Sequence, residues 1–432
     1  MRDDKPTKEL EEYRDNAAAR SLSLIPTCMA FITGAMPVYI FQHPATTGGN
    51  FAQAERVLDA LPSHQRPTLR PVDGPKDVIL SSCETLAPSF PLDGLDHLSH
   101  VVEPTVHYEL LSKRGLALSG LKTPRATLLD LDVPRGQWNF HCSPSVVAVA
   151  DHTRPVGEMQ QRSLIVSTDG STPPRTKDLA SYIRHHELPF VIKLQQSVSS
   201  AGTWLINNAS ERECAAQDIP SITKHNIANM EPEAAALKPC TLIFTDMITE
   251  VDDTWALGMF VQRGGNPVFL GCTEQRFDDG YWSGSGIDYR KQAALAKRLD
   301  STMRSIAHFL WSRGYYGPVG ADVIEDRDGT QWIIDLNVRT PSSLILTLLR
   351  GHFYVKRGFN VARLLPDLRP RISRDEVEVA LQAEIAAGAA IIVAWVDNDL
   401  ANSDSFASII VAAEELDDLD QLSTRVEAVC GV

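Results

Sequence analysis

The stretch Gly320-Ala321-Asp322-Val323-Ile324, followed by Trp332-Ile333-Ile334-Asp335-Leu336-Asn337-Val338-Arg339, constrains the fold more than any other part of this chain. It reads as two neighbouring strands joined across Glu325-Asp326-Arg327-Asp328-Gly329, whose Asp-Gly pair is a strong hairpin signal. Side chains alternate along a strand, so Asp335, Asn337 and Arg339 share one face while Ile334, Leu336 and Val338 share the other. Asp322 stands on the preceding strand. Two carboxylates and an amide oxygen on one sheet face form a hard-oxygen site, suited to Mg²⁺ held together with phosphates. Arg339 beside them could clamp an anionic oxygen with its planar fork. A hairpin with an ordinary polar outer face would have the same pattern.

Upstream, Leu188-Pro189-Phe190-Val191-Ile192-Lys193 is a short apolar strand ending in a lysine. It runs into Gln195-Gln196-Ser197-Val198-Ser199-Ser200-Ala201-Gly202-Thr203, small residues able to lay backbone N–H groups over phosphate oxygens. There is no GxxxxGK[ST] motif, and the lysine precedes the small-residue loop. Further back, Tyr108 to Gly120 reads as a helix carrying Lys113 and closed by glycine, before an extended Thr123-Pro124 entry. A solvated helix position is the plainer reading of that lysine.

In this order the segments resemble the ATP-grasp superfamily. Ser112-Lys113 followed by Gly120-Leu121-x-x-Pro124 is similar to the family's first ATP lysine, and Pro189-Phe190-Val191-Ile192-Lys193 to the second. The run Ser199-Ser200-Ala201-Gly202 resembles the phosphate-covering loop, and Asp322, Asp335 and Asn337 the metal-binding signature. The likeness covers roughly residues 100 to 350, and its specificity lies in the ordered set. The Asn-x-Arg ending, the Gly271-Cys272-Thr273-Glu274-Gln275 stretch and the C-terminal region resemble fungal ATP-grasp ligases of the solid-state-culture-specific type. The resemblance implies an α/β chain with an α+β core. It would comprise an N-terminal α/β domain (1–104), a first ATP-grasp lobe with the phosphate-covering loop (105–246), and a second lobe with the metal site and C-terminal extension (247–432).

The sequence departs from the family pattern in places. Asp335 stands where many members carry glutamate, and Thr245 where an acid is common. Adenine would then be read by backbone groups from Asp246 to Ile248, with Met247 and Ile248 as apolar walls. The ribose-contacting acid would follow at Asp253 or Asp252, with Glu250 also open; a solvated acidic turn is the plain alternative. On the next strand Glu274 and Arg276 would point the same way, one suited to an amine and one to a carboxylate. The Gly/Ser-rich segment after them, with Trp282, could fold over a substrate. A cross-strand ion pair and a surface loop would explain the same residues.

With 432 residues, 43% hydrophobic and 22% charged, the chain is long enough for two to four domains. A formal charge of −14 with no basic run argues against a nucleic-acid partner, though a locally basic cleft can sit on an acidic body. Seven scattered cysteines without a CxxC pair suit free thiols in a reducing compartment. The polar, acidic start is unlike a signal peptide, and Pro26 and Pro37 interrupt the uncharged stretch 21–41. The expected location is therefore cytoplasmic, without membrane insertion.

Residues 21–41 read as strand, turn, strand, and Phe51 to Leu61 as a helix. A further apolar run lies at Asp77 to Leu80, and Asp151 to Arg175 is a polar, Pro-rich connection. Asp288 to Arg313 predicts one long helix, with Leu295, Leu299, Met303, Ile306 and Leu310 as its buried stripe and Gly314 as its stop. GxSxG, HExxH and GxGxxG motifs are absent, and His185-His186 and His141-Cys142 lack partners at useful spacing.

The resemblance implies an enzyme that uses ATP and Mg²⁺ to join a carboxylate, amino-acid-like in kind, to an amine through an acyl phosphate. Lys193 and Arg339 would be catalytic. Transfer of the phosphoryl group to a hydroxyl, or ATP binding without catalysis, would use the same nucleotide apparatus. The identities of acid and amine and the oligomeric state, a homo-oligomer included, stay open.

Overall fold

A computed structural model describes residues 24–41, 49–91, 94–131, 145–149, 179–195, 202–228, 237–278, 281–397 and 405–431. Its fifteen described strands are β1 (Pro37–Phe41), β2 (Thr68–Val72), β3 (Ala126–Asp130), β4 (Ser145–Val149), β5 (Phe190–Leu194), β6 (Thr203–Ile206), β7 (Leu242–Asp246), β8 (Val251–Val261), β9 (Pro267–Asp278), β10 (Tyr281–Asp288), β11 (Gly317–Asp326), β12 (Gln331–Asn337), β13 (Val361–Leu368), β14 (Ala390–Val396) and β15 (Phe406–Ala413). They form three sheets: a parallel pair β1-β2, an antiparallel five-stranded sheet β4-β3-β7-β5-β6, and an eight-stranded sheet β12-β11-β8-β9-β10-β13-β15-β14. Helices flank them, so the chain is α/β as its sequence predicts. No described helix is long and apolar enough to cross a membrane.

In the eight-stranded sheet, Trp255, Leu257, Met259 and Val261 of β8 and Val319, Ala321 and Val323 of β11 point to one face. There they meet Met303, Ile306, Ala307 and Leu310 of helix Asp300–Ser312, spaced at three and four to make one apolar stripe. Each Val, Leu, Ile or Met side chain among them contributes about 1.5–3 kcal/mol on removal from water, and each alanine less. The opposite face of β11 is left to Gly320 and Asp322. This division of faces sets the site.

At the far end of this sheet β15 is buried along its whole length, and β14 nearly so. That is why both read as unbroken apolar runs instead of alternating ones. Helices Ile25–Ala30 and Gly49–Leu58 pack on β14, placing Leu24, Cys28 and Val57 in one core with Trp395, Ile410 and Val426.

Several expected elements differ. Residues 25–30 are helical, with Pro26 in the first turn where a missing N–H costs nothing, so only Pro37–Phe41 of the proposed strand pair is a strand. Residues 75–77 form a 3₁₀ turn, and the strand paired with β1 is β2. The long helix starts at Gln292 and is interrupted at Leu299, which is fully buried. The helix through Lys113 is also two: Pro104–Leu111 and Lys113–Ala117, separated at Ser112 in extended conformation (φ −81°, ψ 142°). Ser112 caps the second segment, its Oγ accepting from Gly115 N at 2.8 Å. The expected connection 151–175 lies outside the described residues.

Candidate active site

The hairpin forms as its sequence predicts, with Gly329 at φ +76° in the turn and Asp326 Oδ1 accepting from Asp328 N and Thr330 N. Asp322 of β11 and Asp335 of β12 are register partners, and Asn337 stands opposite Gly320 on the same face. Two carboxylates directly across a ladder repel each other. Burial makes this worse, so the pair needs cations.

Those cations come from a helix and from the five-stranded sheet. The helix break at Ser112 puts Lys113 at the start of a new segment, where its N–H donates to Gln195 O at the end of β5 (3.0 Å). Its Nζ donates to Asp335 Oδ1 at 2.8 Å. An alanine Cβ at Gly115 would lie 2.0 Å from Glu109 O, so this tight turn between the helices requires glycine. Lys193 arrives from β5. A bulge in β12, where Asp322 pairs with Asp335 but Val323 with Ile333, withdraws the Ile334 carbonyl from the regular ladder, and Lys193 Nζ donates to it at 2.6 Å. On the other side of the bulge Ile333 N donates to Lys122 O at 2.8 Å, tying the entry segment to β12.

Arg339 follows the strand. Its Nη2 donates to Asn337 Oδ1 at 3.1 Å, its Nη1 to Thr340 O at 3.3 Å, and its guanidinium lies 4.9 Å from the Phe90 ring centre. His107, buried, is within 2.8 Å of Val338 O and fastens helix Pro104–Leu111 to the same strand end. Beneath the lysines, fully buried Asp130 is held by Arg114 (3.1 Å), Thr241 (2.7 Å) and Lys238 (3.4 Å).

The electrostatics follow. Burial, then the neighbouring Asp335 charge, raise the Asp322 pKa above the usual carboxylate range against the pull of Lys113, Lys193 and Arg339. Burial acts on Asp335 too, but Lys113 and Lys193 outweigh it and hold its pKa below the ordinary value. For Lys193, burial lowers the pKa to about 8 even with Asp335 nearby. With 27% of the Asp335 side chain exposed, the cluster is open to a ligand.

The structure thus brings together Lys113, Lys193, Asp322, Asp335, Asn337 and Arg339. Gly202 lies at the base of the β5–β6 turn, its carbonyl accepting from Leu194 N; Ser199 and Ser200 lie outside the described residues. Asp246 ends β7, exposed and paired with Arg125 (3.2 Å), and Met247 and Ile248 lead half-buried into β8.

Two expectations need correction. Asp253 pairs with Arg298 at 3.1 Å beside Glu325, on the helix-covered face away from Asp322, so it is unsuited to the ribose of a nucleotide at this cluster. Glu274 and Arg276 share the parity of buried Cys272, which faces the helices, and therefore point away from the carboxylates as well. Glu274 meets Lys291 at 3.6 Å instead. Trp282 packs against the apolar cluster of the C-terminal region. The residue that does reach the site is Gln275, whose Nε2 donates to Asp322 Oδ1 at 2.6 Å. Cys272 was the available signal, since a buried apolar side chain on the 272–274–276 parity assigns 275 to the other face.

Three side chains hold oxygens fit for a divalent cation: Asp322, Asp335 and Asn337. Among the described residues no three His, Cys, Asp or Glu are grouped so as to hold a metal ion, so the set here is two carboxylates and one amide. Two opposed like charges with a hard amide oxygen fit a dication such as Mg²⁺ that keeps part of its coordination for phosphate and water.

No family model matches the chain, and no curated protein matches it. Similar solved structures include an N5-carboxyaminoimidazole synthase from Aspergillus clavatus in complex with ADP and 5-aminoimidazole ribonucleotide, at 9% identity over 93% of this chain and 100% of that one, TM-score 0.47. Another is N5-carboxyaminoimidazole synthetase from Staphylococcus aureus with ADP, at 9% identity over 89% and 85%, TM-score 0.44. A third is a biotin carboxylase–beta-gamma-ATP complex from Campylobacter jejuni, at 11% identity over 59% and 62%, TM-score 0.36. Likenesses this distant assign no activity, which has to come from the residues.

Proposed function

We propose that the chain is an ATP-dependent carboxylate–amine ligase of the ATP-grasp kind. One observation carries the reading: two lysines from separate elements, Lys113 on its short helix and Lys193 on β5 of the five-stranded sheet, converge on a directly opposed pair of aspartates at the edge of the eight-stranded sheet. Such a mixture of fixed cations and hard oxygens suits a triphosphate with its metal, since phosphoryl transfer depends on positioning and charge neutralisation.

Asp322, Asp335 and Asn337 would hold Mg²⁺, which when bound supplies charge neutralisation at the phosphate oxygens. Lys113 and Lys193 exchange their carboxylate and carbonyl partners for phosphate oxygens as nucleotide enters. Arg339, with three N–H groups beyond the two already engaged, takes the carboxylate of the acid. An amine cannot displace oxide from a carboxylate at neutral pH. Transfer of the γ-phosphoryl group to the carboxylate oxygen gives an acyl phosphate and ADP, and amine attack then expels phosphate. Arg339 stabilises the tetrahedral oxyanion in that second step. An amino-acid-like acid and a role in specialised metabolism are the finer reading, suggested by the family resemblance alone.

The test is ADP release with panels of acids and amines, products being identified by mass spectrometry. Amine-dependent amide formation is expected, abolished in Asp335→Ala and Lys193→Ala and lost in Arg339→Ala with some ATP hydrolysis retained. A stable phosphate ester formed without amine, or ADP release by Asp335→Ala at the unmutated rate, overturns the reading.

A further inference from the structure

Arg339 is covered from an unexpected direction. Phe90 belongs to the segment before helix Pro104–Leu111, far in sequence from the hairpin, yet the guanidinium lies over its ring, 4.9 Å from the ring centre. Arg339 has an amide oxygen and a backbone carbonyl as hydrogen-bond partners, and no carboxylate among the described residues pairs with it. Its direct hydrogen-bond partners are neutral, the Asp335 and Asp322 charges act on it from further off, and donors are left for an anion. Phe90 keeps 37% of its surface exposed, so the ring is not consumed by its contact with the arginine.

We infer that Phe90 is a specificity-determining residue, forming the apolar wall beside the Arg339 carboxylate clamp and selecting acids that carry an apolar or aromatic group next to their carboxylate. This rests on the reading of Arg339 as the acid-binding residue. The geometry gives the reason. A carboxylate meets a guanidinium edge-on, in its plane, because the N–H donors lie there. The guanidinium carbon lies over the Phe90 ring at 4.9 Å, so the carbon skeleton of an acid held by those donors passes beside the exposed part of the ring. An apolar or aromatic flank gains contact with it and displaces water from the guanidinium, whereas a compact or hydrophilic acid gains the charge interaction alone.

The experiment measures binding of phenylacetate and acetate by calorimetry to the full chain with Mg²⁺ and a non-hydrolysable ATP analogue. Phenylacetate is expected to bind at least about tenfold more tightly than acetate. Phe90→Ala should bring the two within about twofold, Phe90→Tyr should keep the preference, and Arg339→Met should lose both acids. Phe90→Leu, which preserves bulk without the π face, should give an intermediate ratio and guards against a folding defect in the alanine variant. An unchanged phenylacetate-to-acetate ratio in Phe90→Ala, binding undiminished in Arg339→Met, or no preference in the unmutated protein overturns the inference. Failure of the ligase reading is separate: there, acids bind with the Phe90-dependent preference but stimulate no ADP release or amide formation.

Discussion

Gln275 reaches over β8 to donate a 2.6 Å hydrogen bond to Asp322 on β11, so the carboxylate with the raised pKa is oriented by a neutral amide while its partner Asp335 takes Lys113. Replacing Gln275 by Ala frees Asp322 to rotate and leaves the lysines in place. The expected outcome is a higher Mg²⁺ requirement, by about 10- to 100-fold as for other partners that orient metal ligands, with nucleotide affinity in the absence of metal unchanged. Titrating Mg²⁺ against ADP release checks this, and an unaltered half-saturating concentration would remove Gln275 from the site.

On the proposed reading, Lys193 would give nucleotide binding a pH dependence. In the free protein its pKa is lowered to about 8 by burial, and a bound polyphosphate raises it again by favouring the ammonium form. Below that value the lysine is already charged and affinity is level; above it, binding requires proton uptake and affinity falls, by up to about tenfold per pH unit. Calorimetry at pH 8.5 in buffers of different ionisation enthalpy should detect protons taken up with ATP. Lys193→Arg, charged throughout, should flatten the profile even if its affinity is lower.

Asp130 offers a test of stability apart from chemistry. The carboxylate is fully buried and Arg114 is its nearest ionic partner. Arg114→Met strands that charge, with Lys238 as its remaining ionic contact, and is expected to cost about 3 kcal/mol in denaturant unfolding. Arg114→Met with Asp130→Asn should recover most of the loss.

Gly115→Ala is expected to act through geometry. The added methyl would sit 2.0 Å from Glu109 O, so the turn at Ser112 must open and Lys113 must move from Asp335. About 1–3 kcal/mol of stability and a matching drop in ATP affinity should go together, read by thermal unfolding and calorimetry on the same samples.

Much of the candidate site was legible because it rests on short-range rules. Strand alternation placed Asp335 and Asn337 on one face, and a lysine at a strand end followed by small residues marked Lys193. Parity failed at Glu274 and Arg276, where the correct period was attached to the wrong face; the sequence of one strand does not say which side its neighbours cover. The helix breaks at Ser112 and Leu299 were invisible to periodicity, because the apolar spacing continues through both. The contacts of Phe90 with Arg339 and of Gln275 with Asp322 join segments 249 and 47 positions apart, and such pairings belong to the assembled fold.

The core shared by residues near both ends of the described chain has a consequence for synthesis. Leu24, Cys28 and Val57 emerge from the ribosome hundreds of residues before Trp395, Ile410 and Val426, the side chains that shelter them. Until the last strands appear, those early helices keep a greasy flank open to chaperones and proteases. A premature stop near residue 388 therefore harms the opening segment as surely as the closing one, although the lysines and aspartates would all have been translated.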